Sequence, residues 1–192
     1  LYTEMSEFAR ARERRFRVHK KWGDMHLRWA SDLMGKQASN EVEIHFAEAK
    51  RLYNASYDYA LYYDVDEWIM QYTRLLIGYA NFLGHENRYD EAQTLYDEAK
   101  QQGMARNMQI HTKLNFYYAK HLYAHGNYLW HQRMPEKAYD LMIKAKEALY
   151  KHQELMNGEA GEMWNRQMLE VQEMIHFFEE TGISRESKSS GQ

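Results

Sequence analysis

Histidines are the side chains in this sequence whose type and spacing best suit metal chemistry. Four of them lie close together in the second half of the chain: His111, His121, His125 and His131. His121 and His125 are one helical turn apart, so two neutral imidazoles on one helix face would be placed to share a zinc or nickel ion. A third ligand is needed, and only His131 or Glu136 lies near in sequence. Leu122 stands where a zinc hydrolase has glutamate, and among ten histidines such a pair arises easily by chance, so we predict no metal site and no other cofactor.

Arginines alternate with aromatic residues near the start of the sequence, in the stretch FARARERRFRVHKKW at residues 8–22. Residues 1–21 hold seven Arg or Lys against three Glu, a local charge of +4 in a chain whose net charge is -3. Such a segment is typical of single-stranded nucleic-acid binders and of helices on anionic surfaces, with Arg12, Arg14 and Arg15 as contact residues. The alternative interpretation is a helix whose arginines form only a solvated face, interspersed with Glu7 and Glu13.

Residue patterns typical of catalysis are not found in the sequence. It lacks a Gly-rich phosphate loop, a nucleophile elbow and a pair of carboxylates in an apolar setting. It has no cysteine, which excludes disulfides, thiolate metal sites and a cysteine nucleophile. No apolar run is long enough to span a bilayer. We therefore predict a soluble, cytoplasmic protein that is not an enzyme.

The elements that carry these residues are predicted to be helices almost throughout. Apolar residues recur at helical spacing, and a single proline interrupts the 192 residues. The predicted helices lie at residues 3–21, 24–34, 40–62, 65–83, 88–102, 105–125, 135–156 and 160–180. The polar tail at 181–192 is predicted to be disordered.

Glycines and polar residues define the predicted helix ends. Five glycines follow apolar runs and are expected to end helices: Gly35, Gly84, Gly103, Gly126 and Gly158. Asp64 with Glu67 is expected to form an N-cap pairing, as is Asn87 with Asp90. Pro135 suits the first turn of a helix.

One spacing of small and large apolar residues recurs three times. Counted from an alanine, its steps are 3, 9, 4 and 3 residues in two copies: Ala80, Leu83, Ala92, Tyr96, Ala99, and Ala30, Leu33, Val42, Phe46, Ala49. The third copy has steps of 3, 16, 4 and 3: Ala119, Leu122, Ala138, Met142, Ala145. The seven extra residues predict a longer corner near residues 128–131. Because an alanine lets a facing helix approach closely, each copy predicts an antiparallel helix pair that must stack on its neighbours.

This recurring spacing, which we call the ladder, resembles the tetratricopeptide repeat. The first helix of that repeat carries a large, a small and a large residue, and its second helix carries a small residue and then an aromatic one. Two signature residues differ: the terminal proline is replaced by Asn54, Met104 and Tyr150, and the first-helix tryptophan by His26, Leu76 and Asn115. The resemblance implies one divergent all-α domain over residues 1–180, a right-handed α-solenoid with repeats at about 24–62, 65–102 and 105–156. The helix at 160–180 and an N-terminal helix would cap its ends.

The resemblance also implies that the first helices line a concave groove, through residues six and three before the small residue and one and four after it. In this sequence the groove positions are Asp24, Leu27, Ser31, Met34, Arg74, Ile77, Asn81, Gly84, Lys113, Phe116, Lys120 and Tyr123. The partner-binding set predicted from them is Arg74, Ile77, Asn81, Lys113, Phe116, Lys120 and Tyr123. Its cations suit the carboxylates of an extended peptide, and its apolar members suit the peptide's side chains. The family's clamp for chaperone tails is not reproduced, because only Lys113 matches its basic residues.

The function predicted from the sequence is a protein-interaction module, either a scaffold or the sensory or regulatory part of a larger chain. The alternative is binding of nucleic acid or an anionic surface through the basic N-terminal helix. The identity of the partner and the oligomeric state stay open at this point.

Overall fold

The computed structural model describes residues 2–34, 39–103, 108–151 and 158–183, and within these ranges the chain is helical almost throughout. The helices are α1 (Tyr2–Met34), α2 (Ser39–Tyr63), α3 (Val65–His85), α4 (Tyr89–Gly103), α5 (Met108–His131), α6 (Pro135–Tyr150) and α7 (Gly158–Glu180). The described ranges contain no strand, which confirms the predicted all-α class. Gly35, the predicted helical residues 152–156 and most of the predicted tail, residues 184–192, lie outside these ranges.

Helix α1 is continuous, although the sequence predicts two helices at 3–21 and 24–34. The predicted break is wrong because Gly23 serves helix packing and not a turn. A Cβ atom added at Gly23 would lie 2.8 Å from Cδ2 of Tyr53 in α2. The missing side chain therefore lets α2 approach α1, while a glycine inside a helix costs only about 1 kcal/mol relative to alanine.

Helix α3 ends in a Schellman motif that turns the chain into α4. The Arg88 amide donates to the Leu83 carbonyl at 2.9 Å, and the Asn87 amide donates to the Gly84 carbonyl at 3.1 Å. Asn87 has a φ of 59°, in the left-handed region that asparagine tolerates better than most residues. Asn87 thus closes α3 and does not cap α4, and the predicted helix-ending Gly84 lies within the last turn of α3.

Helices α5 and α7 end with the same hydrogen-bond pattern. At the end of α5 the Met134 amide donates to the Leu129 carbonyl at 2.9 Å, and Arg133 has a φ of 60°. At the end of α7 the Ile183 amide donates to the Phe178 carbonyl at 2.9 Å, and Gly182 has a φ of 82°. The corner after α5 is therefore as short as the corner after α3, and the longer corner predicted near 128–131 is wrong.

The short corner after α5 changes the register of the third helix pair. Gly126 lies inside α5, twelve residues before Ala138, as Ala80 lies twelve residues before Ala92. A Cβ atom at Gly126 would lie 3.3 Å from the Ala138 carbonyl oxygen, so glycine allows α6 to approach α5. Counted from this glycine the ladder has steps of 3, 9, 4 and 3, as in the other copies: Gly126, Leu129, Ala138, Met142, Ala145. Gly126 is therefore not a helix end, as the sequence predicts, but the small residue of the ladder.

The substantial contacts join helices that are next to each other, or next but one, along the chain. Buried side chains form two groups, one from α1 to α4 with Leu114 of α5, and one from α5, α6 and α7. The small ladder residues are buried: Ala30, Ala80, Ala92, Gly126 and Ala138. Helix α5 contributes to both groups, so it connects the two halves of the core.

A cap and a proline define the starts of two helices, and ion pairs connect helices to one another. The Asp64 carboxylate accepts from the Glu67 amide at 3.0 Å, as predicted, and Pro135 begins α6, also as predicted. Lys50 of α2 forms an ion pair with Glu98 of α4 at 2.6 Å. A second link is formed by Arg88, which binds Glu43 of α2 at 2.6 Å. These pairs connect the second helices of the first two pairs.

Candidate functional site

An open trough of about 430 Å³ lies between α1 and α3, the first helices of the first two pairs. Its lining residues are Asp24, Leu27, Arg28, Ser31, Asp32, Gln71 and Arg74. Four of these positions, Asp24, Leu27, Ser31 and Arg74, are predicted from the sequence as groove residues. The structure thus brings residues 50 positions apart onto one concave surface.

Side chains below the trough hold its acidic end in place. The Tyr53 hydroxyl, from α2, donates to Oδ1 of Asp24, and Lys20 lies 3.5 Å from Oδ2 of the same carboxylate. Lys20 also pairs with Glu67 of α3 at 3.1 Å, which connects α1 to α3. Burial, followed by the hydrogen bond to Asp24, raises the pKa of Tyr53 far above its usual range. Tyr53 therefore stays a hydrogen-bond donor, and the Asp24 carboxylate is fixed toward the trough.

The exposed part of the trough carries charges of both signs. Arg74 is exposed and donates to Gln71 at 3.4 Å, a weak hydrogen bond that leaves most of the guanidinium available. Arg28 and Asp32 are also exposed. A trough of this mixed character suits an extended peptide with charged side chains better than an apolar small molecule.

Two predicted groove residues of α3 serve mainly internal packing. Ile77 is 9% exposed and belongs to the core, so it offers little surface to a partner. Asn81 is half-buried, and its Oδ1 accepts from the Tyr96 hydroxyl at 2.7 Å. Its amide group remains available because only the carbonyl oxygen is used in that bond.

The predicted residues of α5 are distributed between core and surface. Phe116 is 9% exposed and stacks on Trp164 of α7, with ring centroids 5.6 Å apart. Lys120 is exposed and lies 5.9 Å from the centre of the Phe116 ring. Lys113 is exposed, and Tyr123 is half-buried against the second core group.

The register set by Gly126 changes which residues of α5 correspond to the trough residues of α3. Positions six and three before this glycine are Lys120 and Tyr123, and positions one and four after it are Asn127 and Trp130. Asn127 and Trp130 are missing from the sequence prediction because it starts from Ala119. Lys113 and Phe116 lie two helical turns before Lys120 and Tyr123, and Phe116 packs into the core.

The histidine pair lies in an aromatic cluster between α4 and α5. His125 stacks on Tyr89 with ring centroids 4.7 Å apart and an interplanar angle of 4°. His121 contacts Tyr96 at 5.0 Å, and the two histidine rings are 6.1 Å apart. No group of three or more potential metal ligands occurs among the residues that the structure describes. His111 is outside the residues whose side chains are described.

Burial keeps the two histidines neutral. His121 is 6% exposed, and its Nε2 atom has no hydrogen-bond partner. Burial, with the nearby His125 and Lys100 as smaller causes, lowers the pKa of His121 to about 4. Burial also lowers the pKa of His125, and it lowers the pKa of Lys100 to about 8. His121 and His125 therefore act as packing groups between α4 and α5 at neutral pH.

We expect the buried His121 to make the fold sensitive to mild acid. Its pKa in the folded chain, about 4, is below the ordinary value of 6.5, so between these values the unfolded chain binds the proton and the folded chain does not. Stability is therefore lost as the pH falls through this window, by up to about 1.4 kcal/mol per pH unit. His121→Leu, which places in α5 the residue found at the equivalent Leu75 of α3, should reduce the fall in melting temperature between about pH 7 and about pH 5.

The matched control for this measurement is His131→Gln, because His131 is exposed at the end of α5. Its melting temperature should fall with pH as in the unaltered chain. An equal pH dependence in His121→Leu would contradict the assignment of the acid sensitivity to His121.

A second concavity, of about 570 Å³, lies between the basic half of α1 and the end of α2. Its lining residues are Ala11, Arg12, Arg15, Asp58, Tyr59, Leu61 and Tyr62. The Arg12 guanidinium lies 5.0 Å from the centre of the Tyr62 ring, and Arg15 donates to the Tyr59 hydroxyl at 3.4 Å. Arg14 is exposed on α1 and is not among the lining residues.

Comparisons with protein-family models, curated proteins and solved structures return no match for this chain. The tetratricopeptide resemblance therefore depends on the ladder alone and stays a prediction. Within the described ranges, no helix combines the length and the apolar character needed to cross a bilayer.

Proposed function

We propose that this chain is a tetratricopeptide-like helical repeat domain that binds an extended peptide segment of a partner protein in the trough between its first helices. It would act without catalysis, as a cytoplasmic scaffold or as the sensory or regulatory part of a larger chain. The observation that carries the proposal is the trough itself. Its lining contains Asp24 of α1 and Arg74 of α3, which occupy equivalent positions of successive repeats, together with the predicted groove residues Leu27 and Ser31.

The common ladder supports a stacked arrangement of helix pairs. Three copies keep steps of 3, 9, 4 and 3 residues once the third is counted from Gly126. The substantial contacts connect only helices that are neighbours or next neighbours along the chain, as expected of an array in which each pair touches the pairs beside it. Stacking of this kind leaves one face of the first helices open to a ligand.

The chemistry of the trough supports a peptide as the ligand. Arg74 lines the trough, and Lys120 is an exposed cation at the equivalent position of the next first helix, α5. Asp32 of α1 supplies the opposite charge in the trough. An extended peptide presents side chains at regular intervals, so it can pair charges with several repeats at once. Charged contacts of this kind favour specificity and fast association more than high affinity.

The test begins with peptides selected from a random library for binding to the whole chain. We expect the double variant Arg74→Glu, Lys120→Glu to weaken binding of the selected peptides by about tenfold or more, because both cations would be reversed. Lys137→Glu is the matched control, since Lys137 is exposed on a second helix, α6. Equal affinities for the double variant and the control would contradict the trough as the binding site.

The second candidate function, binding of nucleic acid or an anionic surface, is favoured by the concavity that contains Arg12 and Arg15. Arginine beside tyrosine rings is suited to phosphate contact with base stacking. Asp58 lies in the same lining and reduces the attraction for phosphate. A single-stranded oligothymidylate whose affinity falls steeply with salt, and is lost in Arg12→Glu, Arg15→Glu, would favour this function over peptide binding.

A further inference from the structure

One side of α1 carries a stripe of exposed large apolar residues. The stripe consists of Val18, Trp22, Met25 and Trp29, which are 49%, 57%, 37% and 44% exposed. Their spacing of four, three and four residues keeps them on one side of the helix over about three turns. We call this surface the α1 seam.

The repeat shows what covers the equivalent surface of α3. Shifting the seam by the 50 residues between Ala30 and Ala80 gives Trp68, Tyr72, Leu75 and Tyr79. Three of these four are buried, with exposures of 1% for Trp68, 1% for Tyr72 and 0% for Leu75. Trp68 and Tyr79 contact α2, the second helix of the preceding pair. Nε1 of Trp68 donates to the Tyr53 carbonyl at 3.0 Å, and the Tyr79 ring stacks on Phe46 with centroids 5.1 Å apart.

Helix α5 repeats this arrangement with different side chains. Its residues equivalent to Tyr72 and Tyr79 are Tyr118 and His125, in the register set by Gly126. Both contact α4, the second helix of the preceding pair. Tyr118 packs against Tyr96 with ring centroids 5.6 Å apart, and His125 stacks on Tyr89. A helix therefore covers this surface on α3 and on α5. On α1 it is largely exposed, although Trp29 at its end contacts His45 of α2 with ring centroids 5.2 Å apart.

Charges beside the seam restrict the kind of helix that fits. Arg14, Lys21 and Arg28 recur every seven residues and are exposed, so they form a basic flank along the seam, and the exposed Asp32 lies at the end of this flank. The other flank, which faces α2, carries Arg12, His19 and His26. Two copies of α1 packed antiparallel through their seams would bring the two basic flanks together, which disfavours such a dimer of this chain. A helix with acidic residues at its flanking positions would pair with the basic flank.

We propose that the α1 seam is a second docking surface, and that its occupant is an amphipathic helix of a partner protein with acidic residues beside its apolar stripe. The helix lies across α1 as α2 lies across α3. Its apolar residues cover Trp22 and Met25, and its carboxylates pair with Lys21 and Arg28. This surface is separate from the trough, although Arg28 borders both. The trough residues of α1 are Asp24, Leu27, Arg28, Ser31 and Asp32.

The test uses two synthetic helical peptides that share one apolar stripe of leucines and differ only in their flanks, which are glutamate in one and lysine in the other. We expect the whole chain to bind the glutamate peptide and not the lysine peptide. Trp22→Ser should weaken that binding by about thirtyfold, the effect of removing a central aromatic contact. Leu169→Ser, which removes an equally exposed apolar residue of α7, should leave it unchanged.

Equal binding of both peptides, or unchanged affinity in Trp22→Ser with an unchanged melting temperature, would overturn the proposal. So would a Trp22-dependent attachment to anionic phospholipid vesicles, or a Trp22-dependent dimer in sedimentation, without binding of the glutamate peptide. Arg74→Glu should not affect the glutamate peptide, so failure of this proposal is distinguishable from failure of the trough as a binding site.

Discussion

We expect Trp68→Ala to lower the melting temperature by about 10 °C or more. Trp68 is 1% exposed and stacks on Tyr72 with ring centroids 4.7 Å apart. Its Nε1 atom donates to the Tyr53 carbonyl and to the Ser56 hydroxyl, both at 3.0 Å. Alanine would leave a cavity between α2 and α3 and remove both hydrogen bonds, at a cost of about 3–5 kcal/mol.

The measurement is thermal unfolding followed by circular dichroism, with Trp22→Ala as the control. Trp22 is 57% exposed on α1, so its truncation should change stability by less than about 1 kcal/mol. Similar melting temperatures for the two variants would show that α2 does not pack on α3 through Trp68.

The second large effect is expected for Gly126→Val. A Cβ atom at this position would lie 2.7 Å from Cε of Met142 and 3.3 Å from the Ala138 carbonyl oxygen. The methionine end can move, but the backbone of α6 must also shift, and valine adds two methyl groups beyond the Cβ atom. We expect a loss of about 2–3 kcal/mol in the free energy of unfolding, which lowers the melting temperature by several degrees.

Gly84→Ala is the matched control, because the nearest atom to its added Cβ would be Nδ1 of His121 at 4.0 Å. Alanine is a better helix former than glycine, so this variant should be as stable as the unaltered chain or slightly more stable. If Gly126→Val unfolds at the same temperature as Gly84→Ala, then Gly126 is not the small residue between α5 and α6.

Gly126 also shows why the register of the third helix pair could not be predicted from the sequence. Ala119 and Gly126 are seven residues apart, which places them on nearly the same face of one helix. A search for alanine therefore finds Ala119, and the extra residues are then wrongly assigned to the corner. The hydrogen bonds that end α5 at His131, and the close approach of Ala138 to Gly126, distinguish the two registers.

Two local signals, at Asp64 and Pro135, were reliable, whereas those at Gly84 and Asn87 were not. The Asp64 cap and the start of α6 at Pro135 follow from side-chain chemistry next to the helix ends. The continuity of α1 through Gly23 does not, because the close approach of Tyr53 from another helix decides the role of that glycine. Periodicity predicts that helices exist, but packing against distant residues decides where they continue.

The candidate site likewise contains residues that the sequence predicts and residues that it does not. Helical spacing places Leu27 and Ser31 on one face of α1, and the repeat relates that face to Arg74. Of the predicted partner-binding set, however, only Arg74 lines the trough. The burial of Phe116 was not predictable, because Trp164 of α7 covers it from 48 residues away in the sequence. Gln71, three residues before Arg74 on α3, also lines the trough and is missing from the predicted groove positions.

The most direct test of the account is the labelling rate of single cysteines, which is free of background because the chain has no cysteine of its own. Cysteine in place of Ala80, Ala92 or Ala138 should react slowly, since these positions are fully buried. Cysteine in place of Ser31 or Arg74 should react rapidly, and a selected peptide should slow only the latter two. Rapid reaction at the three alanine positions would contradict the stacked helix pairs, and an unslowed reaction at the trough would contradict peptide binding there.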